Sequence, residues 1–286
     1  MERLMTLPLY VSNELGRYVT ALRNNYRSHV RILQLSSDLF YNGSLLACAN
    51  PTVVDKFCNW DGLKDTDFPM VVYEVEGQCV CAQDSLSPLN AAEANGVADV
   101  VASLMASGIA LSLADFGVMA PFRKQVTKIR KVLRSRGYGV VRVGTIDDYQ
   151  GQEALVTIIS TVISDGWVPD SVRDSFFGDP KRFNVAISRG KGLCVIVGNP
   201  HYLAKSKYWS AAVDYCRNAG AKVLLERPGE TDVDAGPVGG GRPAGAAGRS
   251  RPRLLGQAAA GWHSAEGPDE LHENFRSMEL EWQVHF

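Results

Sequence analysis

Two polar segments, each running into an apolar stretch, carry the residues of this chain best equipped for chemistry. The first is Thr145-Ile-Asp-Asp-Tyr-Gln-Gly-Gln-Glu153 and the second is Arg182-Phe-Asn-Val-Ala-Ile-Ser-Arg189. Each sets amides, a carboxylate or a guanidinium at the border of a buried strand, where parallel α/β sheets hold phosphates and nucleotides. Gly151 permits a tight bend, and Glu153 can accept hydrogen bonds from a ribose or orient an arginine. An acidic surface turn uses the same residue types, so both readings stay open. Arg189 offers a planar fork that gives a phosphate two parallel charge-assisted bonds, although a surface salt bridge is the commoner fate of a lone arginine. A third segment, Asn24-Asn-Tyr-Arg-Ser-His29, adds the guanidinium of Arg27. His29 suits a helix cap or packing better than base catalysis, because no carboxylate or nucleophile stands beside it in a known arrangement. No G-x-x-x-x-G-K-[ST] phosphate loop occurs in the 286 residues.

The elements that must position these groups are legible as alternating patterns. Short β-branched runs at 71–75, 117–120, 140–143, 155–162 and 193–197 read as buried parallel strands. Stretches at 91–107, 122–136, 183–188 and 209–218 read as helices, and another follows His29. The β-α-β order predicts an α/β fold: an open, doubly wound parallel sheet with helices on both faces. The 183–188 helix should pack Phe183, Val185, Ala186 and Ile187 inward, leaving Arg189 at its end and free to point across an interface.

Composition bounds the rest. The chain is 45% hydrophobic and 21% charged with a net charge of −1, so any contact with nucleic acid must be local. One such locality exists: Pro121 to Arg142 holds eight basic residues and no acidic one. The six cysteines form no C-x-x-C pair, which predicts reduced thiols and a cytosolic setting; no metal-ligating set is read. No run long enough to span a membrane appears. From Arg227 to Phe286 the chain carries ten of its 27 glycines among scattered prolines, which predicts a folded region at 1–226 and a disordered tail at 227–286.

In this order the three segments resemble the second RecA-like lobe of superfamily 1 RNA helicases of the nonsense-mediated-decay group, and within it the Moloney-leukaemia-virus-resistance helicases. Asn24 to His29 resembles that family's motif IV, Gln150-Gly-Gln-Glu153 its motif V and Asn184-Val-Ala-Ile-Ser-Arg189 its motif VI. Tyr41 to Asn50, Phe57-Cys-Asn-Trp60, Pro121 to Arg130 and Val197-Gly-Asn-Pro200 support the match, which covers roughly residues 1 to 225. The resemblance implies that Arg27 and Arg189 reach the γ-phosphate of ATP as arginine fingers. It implies that Gln150, Gly151 and Glu153 contact the nucleotide or its magnesium-bound surroundings. It further implies that Pro121, Arg123, Lys124, Gln125, Thr145 and Tyr149 lie toward a single-stranded RNA path.

The expected function is therefore the carboxy-terminal motor lobe of an ATP-dependent 5′ to 3′ RNA helicase, sharing ATP and Mg2+ with a first lobe. The resemblance places it as a monomer in cytoplasmic silencing and decay granules, with argonaute-type silencing proteins and decay factors as partners. The chain is expected to be a fragment without the phosphate-loop lobe and inactive alone. Two departures from the family stand out: Ser188-Arg-Gly-Lys191 where Thr-Arg-Ala-Lys is usual, with Gly190 loosening a helix end, and Asp147-Asp-Tyr149 where Glu-Glu-Phe is frequent. A non-catalytic RNA- or protein-binding module, and the lobe of a DNA helicase of the same superfamily, are the alternatives.

Overall fold

The computed structural model describes residues 7–8, 19–58, 60, 63, 67–81, 87–166 and 168–219. The tail expected at 227–286 lies outside the described residues. Five strands form one parallel sheet: β3 (Met70–Glu74), β6 (Phe116–Ala120), β7 (Arg142–Thr145), β8 (Ala154–Ser160) and β9 (Gly190–Gly198), in the order β3-β9-β8-β6-β7. All four ladders are parallel. Two short pairs flank it, β1 (Asn24–Asn25) with β2 (Leu46–Ala47), and β4 (Cys79–Cys81) with β5 (Pro88–Asn90). The α/β expectation holds, and β6, β8 and β9 form its interior because their runs are apolar on both faces.

Helices cover both faces. On one side lie α3 (Ala91–Ala106) and α4 (Arg123–Ser135); on the other, α1 (Val30–Phe40), α6 (Pro180–Ile187) and α8 (Lys207–Asn218). Two short helices, α2 (Pro51–Val54) and α7 (Pro200–Leu203), and the longer α5 (Asp170–Phe177) lie between these in sequence. Strand parity fixes the two sides. Ser160 bonds to Glu93 of α3, and its ladder partner is Val197; Cys194, an odd number of residues from Val197, faces the other way toward Cys216 of α8, whose thiol pKa is raised by burial and then by Cys194. Two of the longer helices start on a side-chain cap. Asn90 caps α3 by accepting from the Glu93 N–H, and Asp179 caps α6 ahead of Pro180, a residue suited to a first helical turn. α4 buries Val126, Ile129 and Leu133 at helical spacing and turns its basic residues outward.

The link from β7 to β8, residues 146–153, is shorter than the dozen or so residues that a parallel crossover usually takes. It succeeds by lying on the sheet itself. Tyr149 is buried there and donates its hydroxyl to the Arg142 carbonyl at 2.9 Å. A Cβ at Gly117 would sit 3.0 Å from its ring, and one at Gly144 3.2 Å, so glycine in both strands opens the slot.

Two strand boundaries and one helix differ notably from what the sequence leads one to expect. β9 begins at Gly190 rather than Leu193, since Gly190 pairs with Ala154. β7 runs over Arg142–Thr145, leaving Val140 72% exposed in the preceding turn. α5 was not expected; it buries Phe176 and Phe177 against Trp209, with Phe176 5.1 Å from the Trp209 ring.

Candidate functional site

Arg27, Glu153 and Arg189, one from each of the three segments, meet at one rim of the sheet. Glu153 immediately precedes β8, and Arg189 immediately precedes β9, so both stand at the amino ends of central strands. That rim is opposite the strand carboxyl ends, where open α/β sheets usually hold nucleotides. Arg27 reaches the same place because its segment is tied down. Asn25 Oδ1 accepts the N–H groups of Arg27 and Ser28 at 2.9 and 3.0 Å, and the His29 N–H donates to the Lys191 carbonyl at 2.8 Å.

Glu153 is the hub. Arg27 Nε donates to its Oε2 at 2.7 Å, and Lys191 Nζ lies 2.7 Å from its Oε1. Hydrogen bonds from Lys191 and Arg27 hold its carboxyl below the usual carboxylate range, against the opposing effect of partial burial. Arg27 also donates to the Ser188 carbonyl at 3.3 Å. Arg189 is not free to swing across an interface as expected. Its guanidinium folds back onto the Val185 carbonyl at 3.1 Å and Ser188 Oγ at 2.8 Å, with the Gln152 carbonyl at 3.5 Å. Burial and then the positive charge of Arg27 lower its pKa. The reason for the fold-back is that Gly190 already belongs to β9, so no flexible helix end lies beneath Arg189. Nor does Gly190 loosen one: a Cβ there would meet Thr157 Oγ1 at 2.7 Å and the Leu193 carbonyl at 3.2 Å.

Arg27, Arg189 and Lys191 thus surround one carboxylate, leaving the rim net positive. That arrangement suits an anion that would bridge two mutually repelling guanidiniums. It does not suit magnesium on Glu153, because both carboxylate oxygens are already engaged by cations. Gln150 and Gly151 are exposed at the mouth of the same loop, Gly151 at φ +74° where glycine is favoured. Lys191 was not foreseen; it sits in Gly190-Lys-Gly192, which reads as a turn until the strand register is known.

The residues expected toward RNA occupy the carboxyl ends of β6 and β7, and they divide by burial. Arg123 is exposed and makes a bidentate pair with Asp148 at 3.0 and 3.2 Å, while Lys124 and Pro121 are half-buried. Gln125 is 0% exposed and Tyr149 1%, which takes both away from any RNA-facing surface. Gln125 is turned inward by bonds to Asn90 and Ser160, and Tyr149 by its place in the crossover. Thr145, 5% exposed, likewise turns inward: its N–H donates to Asp148 Oδ2 and its Oγ1 accepts the Asp148 N–H. These bonds from Thr145, with the Arg123 pair, outweigh burial and hold Asp148 below its ordinary pKa.

His29 caps α1, its Nδ1 accepting the Arg31 N–H at 3.2 Å. Its Nε2 lies 3.6 Å from Asp55 Oδ1 and 3.7 Å from Cys58 Sγ, and the three could in principle ligate a metal. The cap opposes that: an Nδ1 that accepts leaves the proton on Nε2, where a metal would need the lone pair.

With this geometry in place, comparison with known proteins decides the family. The AAA_12 profile, described as an AAA domain, matches residues 1–201. The chain belongs to that family of helicase domains. It is 39% identical over 241 residues to the RNA helicase Mov10l1 of Homo sapiens, covering 80% of this chain and 20% of that protein. It is 37% identical over 235 residues to the putative helicase mov-10-B.1 of Danio rerio, covering 76% and 23%. It is 30% identical over 213 residues to the regulator of nonsense transcripts 1 homolog of Drosophila melanogaster, covering 72% and 17%. The chain therefore spans about a fifth of the length of these relatives. The resemblance to superfamily 1 helicases read from the three motifs holds. Within this AAA_12 chain, the matched region includes Arg27, Glu153, Arg189 and Lys191 and ends just beyond β9.

Proposed function

We propose that this AAA_12 lobe is the second motor lobe of an ATP-dependent RNA helicase, and that Arg27 and Arg189 serve an ATP γ-phosphate held mainly by another lobe. The observation that carries the reading is the convergence of two guanidiniums and Lys191 on the amino ends of β8 and β9, around a single carboxylate. ATP would supply the phosphoanhydride whose hydrolysis drives the cycle, and Mg2+ would accompany its phosphates. Glu153 orients Arg27 and Lys191, which otherwise would splay into solvent. Arg189, held by Val185 and Ser188, presents a fixed positive charge with little reorganisation needed, which is how a positioned arginine stabilises charge developing in phosphoryl transfer.

At the opposite rim, Arg123, Lys124 and the outward face of α4 hold phosphates of single-stranded RNA without reading sequence. Movement 5′ to 3′, action in silencing and decay, a monomeric state, cytoplasmic granules, and argonaute-type proteins or decay factors as partners all belong to this reading. The RNA-helicase names of relatives and the three motifs support it. Because the 286 residues hold no phosphate loop, the chain by itself hydrolyses no ATP. The test joins this lobe to a phosphate-loop lobe and compares RNA-stimulated ATP hydrolysis with that of the chain alone. Turnover confined to the joined protein is expected; turnover by the chain alone would contradict the shared-site reading. Side-by-side binding of single-stranded RNA and DNA of one sequence separates it from a DNA helicase lobe.

A further inference from the structure

At the carboxyl ends of the strands, away from Arg27 and Arg189, a buried polar network joins the turn after β8 to the start of α4. Glu93, on the first turn of α3, is 0% exposed. Its Oε2 accepts the Ser160 hydroxyl and the Val162 N–H, each at 2.7 Å, and its Oε1 accepts Asn90 Nδ2 at 3.3 Å. Gln125, on the first turn of α4 next to Arg123 and Lys124, donates Nε2 to Ser160 Oγ at 2.9 Å and to the Asn90 carbonyl at 3.0 Å. It also accepts the Asn90 N–H at 2.9 Å.

The turn that Glu93 holds is strained. Val162 has φ +69°, a region that β-branched residues almost never enter, and the Ile163 N–H bonds back to the Thr161 carbonyl at 2.8 Å. Positive central φ with a bond spanning two residues marks the rare form of γ-turn. Such strain persists where surrounding structure over-determines it. Here the over-determining contacts are the Glu93 bond to the Val162 N–H and the Asn90 bond to the Val162 carbonyl at 3.5 Å.

We propose that Glu93 is a positioning residue whose buried carboxylate holds the Val162 turn and, through Ser160 and Gln125, fixes the amino end of α4, so that the grip of Arg123 and Lys124 on RNA phosphates depends on it. The clause about RNA rests on the proposed function; the coupling of turn to helix does not. Burial pushes the Glu93 carboxyl up to about 7, against the bonds from Val162, Ser160 and Thr161. The groups facing it from other elements are Asn90 of β5, Gln125 of α4, Ser160 of β8, Thr161 beyond it, and Cys79 of β4. The Cys79 thiol is itself pushed up to about 12 and stays neutral. Near neutrality, the charge that changes in this network is that of Glu93.

The experiment uses the full 286-residue chain as wild type, Glu93→Gln, and Glu93→Gln with Val162→Gly. It reads backbone amide exchange in the 161–164 turn and the first turn of α4, together with affinity for a single-stranded oligouridine at low salt. Glu93→Gln should speed exchange in both segments by about 10-fold and weaken oligouridine binding severalfold. Adding Val162→Gly should restore both, since glycine adopts positive φ without strain and the turn then needs no clamp. Loss of a merely structural contact predicts the reverse, because the glycine also deletes a fully buried side chain. Unchanged exchange in α4, or a double variant worse than the single one, would overturn the proposal. If wild type binds no oligouridine while the exchange coupling appears, the RNA reading fails and the positioning role stands. Should Glu93→Gln fail to fold, Ser160→Ala decides, since it removes the hydroxyl that joins Glu93 to Gln125 and leaves the Glu93 bond to the Val162 N–H in place: exchange should speed in the first turn of α4 and stay near wild type in the 161–164 turn. Unchanged exchange in α4 would overturn the proposal.

Discussion

At the scale of single residues, the charge on each rim is set by who is already paired. Arg123 is the exposed cation that the proposed function sets against RNA, yet Asp148 occupies both of its terminal nitrogens. Replacing Asp148 by Asn removes the opposing charge while keeping an oxygen for the Thr145 N–H, so single-stranded RNA should bind more tightly. The slope of log affinity against log salt should steepen by about 1, as for one added phosphate contact. An unchanged slope, measured by titration at several salt concentrations, would mean that Arg123 touches no phosphate. Glu153 gives a prediction of opposite character. Its pKa is depressed in the folded state, so its pairing stabilises the fold above the ordinary carboxylate pKa, and that stabilisation is lost as pH falls through the depressed value. Because Glu153 is 41% exposed at its side chain, screening limits the contribution to about 1 kcal/mol or less. Urea unfolding of Glu153→Gln should therefore show a small loss near neutral pH that disappears in strong acid.

At the scale of elements, the fold depends on glycines that let one segment lie on another. Gly117→Ala would place a Cβ 2.9 Å from Ala154 and 3.0 Å from the Tyr149 ring, inside a slot bounded by two strands and a buried crossover. The expected cost is about 1–3 kcal/mol, the range for overpacking a well-filled core, read as a lower urea midpoint at unchanged slope. A neutral result would show that the crossover shifts freely. The elements also explain what the sequence discloses and what it conceals. β6 and β8 are short, mostly apolar runs buried on both faces, so they are visible without tertiary information. The start of β9 is not, since Gly190-Lys-Gly192 has the chemistry of a turn and becomes a strand through pairing with Ala154. Gln125 and Tyr149 carry polar groups that read as surface groups; their burial depends on partners, Ser160 and Arg142, that strand register alone brings within reach. Lys191 was hidden for the same reason, whereas Arg27, Glu153 and Arg189 stood out because their motifs are local in sequence.

At the scale of the whole molecule, the proposed function divides two tasks between the two rims of one sheet. The amino-end rim gathers cations around Glu153, and the carboxyl-end rim presents Arg123, Lys124 and the basic face of α4. A motor built this way would couple them through the rigid strands between, with nucleotide state felt at one end and RNA contact at the other. RNA binding by the chain alone should therefore be weak, salt-sensitive and indifferent to ATP, because the amino-end rim has half of a phosphate shell to offer. The most direct measurement of that claim is RNA-stimulated ATP hydrolysis by this lobe joined to a phosphate-loop lobe, with Arg189 intact and with Arg189→Ala. The account predicts a loss of about 10³-fold or more in turnover, the scale of a missing arginine finger, with RNA affinity changed by less than about 3-fold. Unchanged turnover in Arg189→Ala would contradict it.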